Sequence, residues 1–90
     1  MKLWLLCPND KYLKIGAHPE IDNPWDPWYD KAFGFVIRAE SESEARRIAQ
    51  NGSGTESDDG PVWLSSEYST CQELRPTGPA GCIIRDVARA

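Results

Sequence analysis

The sequence predicts an α+β domain: a small, mainly antiparallel sheet of about four strands, elements in the order β-β-α-β-β, covered by one short helix. Three observations predict it. Lys2 to Cys7, KLWLLC, is a short apolar run of strand length stopped by Pro8-Asn9-Asp10. Ala32 to Ala39, AFGFVIRA, sets Phe33, Phe35 and Ile37 against Ala32, Gly34, Val36 and Arg38, the period-two alternation of a strand with one bulky and one slim face. Ser41 and Glu44 then match a capping box, whose hydroxyl and carboxylate satisfy free N–H groups where a helix begins.

Between the first two strands, residues 8–31 hold four of the seven prolines and many Asp and Asn, which predicts a long irregular Pro/Trp-rich loop. After Ser41, a helix of two to three turns carries Ala45, Ile48 and Ala49 as a narrow stripe of mostly small residues, and Gly52 is placed to cap it. Residues 51–61, NGSGTESDDGP, read as a flexible acidic surface loop; its GSG lacks the lysine and helix of a phosphate loop. Val62-Trp63-Leu64 is a short extended segment or a core anchor. Ser69 to Leu74, STCQEL, fits a capping box (Ser69, Gln72) as well as a strand, and the strand is favoured; Pro76 ends either. CIIRDV at 82–87, after a turn, has the β-branched content of a final strand. One helix against four strands leaves a sheet face open, which predicts a homo-oligomer formed through that face or through an edge strand.

With 90 residues the chain is expected to form a single domain. Leu, Ile, Val and Phe number only 17, and four Trp and three Tyr have to make up the apolar volume. A net charge of -4 excludes the basic footprint of a bulk nucleic-acid binder. No apolar run approaches a membrane span, and Met1 to Cys7 is too short for a signal peptide, so the expected location is the cytoplasm. Cys7, Cys71 and Cys82 contain no CxxC pair, and with His18 they would make a Cys3His set only from four separate segments; they read as free, buried thiols, with no metal and no cofactor. His18, between turn residues, reads as a solvated loop histidine. A single histidine without a GxSxG motif gives catalysis little to work with, so a non-enzymatic role is expected.

Chemistry concentrates in Asn23 to Lys31, NPWDPWYDK. Trp25, Trp28 and Tyr29 alternate with Asp26 and Asp30, and Pro24 and Pro27 restrict the backbone. Aromatic faces beside carboxylates suit a base-like ring with ribose hydroxyls. The same rings equally suit a lid folded back to complete a meagre core, and both readings hold if one ring packs while another faces outward. All six arginines lie at or after position 38 and all four lysines before it. Arg38 and Arg85, on strands, are the candidates for pairing with phosphates, a salt bridge being the other reading of Arg85. Arg46 and Arg47, off the helix stripe, read as solvated charges, and Asp58 and Asp59 sit in a loop too flexible to hold a geometry.

NPWDPWYDKAFGFVIRAESESEAR, followed by VWLSSEYSTCQEL and GCIIRDVARA, resembles a group of short uncharacterised proteins of bacteriophages and prophages over nearly the whole chain. The resemblance implies a phage-type protein acting in the bacterial host cytoplasm. By analogy with phage proteins of this size, it implies an anti-defence sponge, a homo-oligomer that sequesters a host immune signal such as a cyclic oligonucleotide or an ADP-ribose derivative. On that reading Trp25, Trp28 and Tyr29 stack the base, Asp26 and Asp30 take ribose hydroxyls, and Arg38 and Arg85 pair with phosphates. The alternative is an adaptor or inhibitor that binds a host protein through the aromatic loop or a sheet edge.

Overall fold

A computed structural model describes residues 1–15, 23–26 and 30–84. The strands β1 (Lys2–Pro8), β2 (Phe35–Ala39) and β3 (Ser69–Leu74) form an antiparallel sheet in the order β2-β1-β3. β1 is central because its apolar run supplies side chains to both faces. Trp4 stands opposite Ile37 and Glu73, and Leu6 opposite Phe35 and Cys71, on one face; Leu3 stands opposite Arg38 and Leu74, and Leu5 opposite Val36 and Gln72, on the other.

Among the described residues the sheet is accompanied by two α-helices, α1 (Asp10–Ile15) and α2 (Glu42–Asn51), and α2 covers the first face. Ser41 caps α2 by accepting the Glu44 N–H at 3.3 Å, and the Glu44 carboxylate reaches back to the Glu40 N–H at 3.0 Å, one residue before the donor a capping box uses. The Gly52 N–H closes the last turn on the carbonyls of Ile48 and Ala49. Ala45 and Ala49 are fully buried, and their small side chains let the helix lie close to the sheet. Ile48 is exposed, and the buried helix face takes in Arg46 instead. That corrects the solvated role expected of Arg46, whose guanidinium finds backbone and hydroxyl acceptors inside the fold.

Three other expectations are corrected. The stretch after β1 is not irregular throughout: α1 follows at once, because Asn9 takes the Lys11 and Tyr12 N–H groups on its side-chain and backbone oxygens, and no proline falls within those six residues. Within 51–61, Thr55–Ser57 form a 3-10 turn whose Glu56 is buried. Cys82, Ile83 and Ile84 are not in a strand, and both isoleucines are exposed; β-branched content favours extended backbone but supplies no partner edge, so the described sheet has three strands. Residues 85–87 of that expected strand lie outside the described residues.

Aromatic rings fill the core where aliphatics are scarce. Trp63, fully buried, meets Trp25 edge-on at 5.7 Å and Phe35 edge-on at 4.9 Å, and Tyr12 lies 6.0 Å from Trp25. Within Val62-Trp63-Leu64, Val62 and Trp63 are therefore the core anchor, and Leu64 is exposed. The Trp4 indole N–H, buried with its ring, donates to the Ala39 carbonyl at 3.0 Å. No helix among the described residues is long and apolar enough to cross a membrane.

Candidate functional site: a carboxylate-lined cavity

Asn23 builds the first wall. Its Oδ1 accepts the Trp25 N–H at 3.0 Å and its Nδ2 donates to the Tyr12 carbonyl at 2.9 Å, while its own carbonyl accepts the Asp26 N–H. This local turn drives Trp25 inward, where its indole donates to the Ala32 carbonyl at 2.8 Å, and leaves Asp26 exposed.

Asp30 adopts the left-handed conformation (φ 56°), which aspartate tolerates better than most residues, and so aims its carbonyl at the Thr55 N–H, 2.8 Å away. Gly54 lies against that same carbonyl, where any Cβ would overlap the Asp30 oxygen. Glu56 completes the junction: its carboxylate accepts the Ala32 N–H at 2.9 Å, the Gly54 N–H at 3.1 Å and the Trp63 indole N–H at 2.6 Å. One buried carboxylate thus joins segments that are far apart in sequence.

Arg46 fixes the third wall from behind. Its guanidinium donates to the Trp63 carbonyl (3.0 Å), the Ser69 hydroxyl (2.9 Å) and the Ser69 carbonyl (3.3 Å), and its Nε pairs with Glu42 at 2.9 Å. Ser69 in turn donates its hydroxyl toward carbonyls of the 62–65 turn. The short segment between Trp63 and Ser69, bearing Ser65 and Tyr68, is held at both ends by one side chain.

These walls line a partly open cavity of about 370 Å³, near the small end of ligand pockets, which run from about 300 to 1,000 Å³. Asn23, Pro24 and Asp26 line it on one side, Thr55, Glu56, Asp59 and Gly60 on another, and Ser65 and Tyr68 on the third, with Lys31 as its cation. Among the described residues, no ion pair joins Lys31 to Asp26, Glu56 or Asp59. The Tyr68 ring is stacked on Tyr12 at 5.3 Å, which fixes its plane.

Of the residues singled out in the sequence, Asp26 lines the cavity. Trp25 takes the core alternative: 3% exposed, it has no face left to stack a base. Asp30 contributes its backbone, and its exposed side chain is not part of the cavity lining. Arg38 is exposed opposite Leu3, on the sheet face turned away from α2 and the aromatic core, so the structure does not bring it together with Asp26. Trp28, Tyr29, Arg85 and His18 lie outside the described residues. The cavity also holds Lys31, Glu56, Asp59 and Tyr68, which sequence reasoning misses. Asp59 is passed over with its loop, and no local pattern marks Glu56, whose partners lie at 32, 54 and 63.

The cysteines are free. Cys7 and Cys71 occupy opposite sheet faces, since Leu6, not Cys7, stands opposite Cys71. Both are half-buried and Cys82 is exposed, where full burial was expected. Burial pushes both thiols above the ordinary value of 9.0, helped by Asp10 at Cys7 and by Glu42 at Cys71, where Arg46 partly opposes it. The neutral thiol is thus favoured in the folded state, a contribution that is full below 9.0 and lost as pH rises through the higher folded values. Timed alkylation with mass mapping near neutral pH should modify Cys82 first and Cys7 and Cys71 more slowly; equal rates would contradict this ordering.

No family model matches the chain, and neither does any curated protein or solved structure.

Proposed function

We propose that this protein is a non-enzymatic binding protein that holds a nucleotide-like ligand, gripping its nucleoside part in the cavity between Asp26, Asp59 and Tyr68. The observation that carries this reading is the cavity itself: a partly open volume of about 370 Å³, lined among the described residues by oxygen acceptors, an ammonium and an aromatic ring stacked on Tyr12. Carboxylates at Asp26 and Asp59 accept hydrogen bonds from sugar hydroxyls and exocyclic amines, and Tyr68 supplies apolar surface for a ring. The resemblance to phage-type proteins makes host immune signals, cyclic oligonucleotides and ADP-ribose derivatives, the first ligands to test, and suggests action in a bacterial cytoplasm.

A thermal-shift panel of nucleosides, cyclic dinucleotides, cyclic trinucleotides and ADP-ribose isomers tests this. A ligand at about 100 times its Kd stabilises the fold by about 2.7 kcal/mol. Tyr68→Ala should abolish the shift produced by any ligand that binds. A panel in which no member raises the Tm would remove the reading, and recovery of a chemically altered ligand would replace it with an enzyme.

The second reading, an adaptor or inhibitor of a host protein, is favoured by a different observation. On the sheet face away from α2, the apolar side chains of Leu3 and Val36 are exposed beside the exposed Arg38, a surface of the kind that contacts other proteins or a second copy.

A further inference from the structure

We infer that the cavity takes the uncharged nucleoside part of a nucleotide-like ligand and keeps phosphate outside, so that a free nucleoside binds more tightly than its monophosphate. This rests on the reading of the cavity as the binding site and adds the charge class of what enters it.

Among the described residues, three carboxylates, Asp26, Glu56 and Asp59, line the cavity against one ammonium, Lys31. Glu56 matters most, because it is 2% exposed and its negative charge is stabilised by three N–H dipoles rather than cancelled by a cation. A buried charge without a counter-ion projects a field that solvent screens poorly. Four other described cations form ion pairs elsewhere, and the Arg47 Nε donates to the Ser43 carbonyl of its own helix. Lys11 pairs with Glu67, Arg46 with Glu42, and Lys2 and Arg75 with Glu73. Arg38 stands on the far face of the sheet.

A phosphate monoester brings roughly -1.5 to -2 charges at neutral pH. Lys31 offsets part of that charge and leaves the carboxylates opposing the rest. A nucleoside's hydroxyls and amines, by contrast, are donors that the exposed carboxylates of Asp26 and Asp59 accept without any charge conflict. The direct pairing of arginine with phosphate that the sequence suggested has no described arginine in the cavity lining to perform it.

The test is isothermal titration of the full chain with the four ribonucleosides and their monophosphates, at low and at high salt. The expected result is a nucleoside bound at least about tenfold more tightly than its monophosphate, a gap of about 1.4 kcal/mol that narrows as salt screens the repulsion. Asp26→Asn with Asp59→Asn, both exposed and so of little consequence for folding, should narrow it further by strengthening monophosphate binding. A monophosphate that binds as tightly as its nucleoside, or more so, overturns the inference and leaves the cavity standing as a binding site. If neither binds, the reading of the cavity fails and the selectivity with it.

Discussion

Replacing Trp63 with alanine should cost most or all of the stability of the domain. Truncating a buried Trp to Ala costs about 3–5 kcal/mol from the lost transfer energy and the residual cavity. Trp63 is also the edge-on partner of both Trp25 and Phe35, so two further rings lose their packing. Its indole is one of three donors to the Glu56 carboxylate, and leaving that buried charge short of a donor adds about 1–3 kcal/mol. Against a total of about 5–15 kcal/mol for a typical domain, and a chain this short belongs at the low end, the sum approaches the whole. Urea denaturation followed by circular dichroism measures it. Trp63→Phe separates the two contributions: it keeps most of the ring volume, loses the N–H, and should be folded with a deficit of about 1–3 kcal/mol. An alanine variant that unfolds at nearly the same urea concentration as the parent would show that Trp63 is not the centre of this core.

Arg46→Met should be the second largest loss, about 3 kcal/mol, although an exposed helix arginine would normally contribute only tenths. Methionine keeps the length and apolar stem of the side chain, and removes the donors that satisfy the Trp63 and Ser69 carbonyls. The ion pair with Glu42 is the minor part, since the Glu42 side chain is half exposed; Glu42→Gln should cost less than about 1 kcal/mol. Measured together, the two variants show whether Arg46 acts through buried carbonyls or through its salt bridge. Equal effects would favour the salt bridge and remove the buried carbonyls as the reason Arg46 is inside.

The elements legible along the chain are those whose cause is local. β1 follows from an apolar run, β2 from the alternation of Phe33, Phe35 and Ile37 with Ala32, Gly34, Val36 and Arg38, although the strand itself starts only at Phe35, and the start of α2 from Ser41 and Glu44 three residues apart. The strand at 69–74 is open to a helical reading because its residues satisfy both patterns; pairing with β1 decides it. At 82–84 the propensity for strand is present, but no described strand pairs with it.

What the sequence determined by itself was the fold class, the helix start, and the need for aromatic rings to do the packing that scarce aliphatics could not. Only the tertiary structure decided which polar groups go inside. By sequence alone Glu56 is one more acid in a glycine-rich loop, and Arg46 one more helix arginine. A carboxylate or guanidinium can be buried only where enough donors or acceptors converge on it, and in this fold they come from residues 32, 54 and 63 for one and from 63 and 69 for the other. Such convergence exists only once the sheet, the helix and the turns have docked.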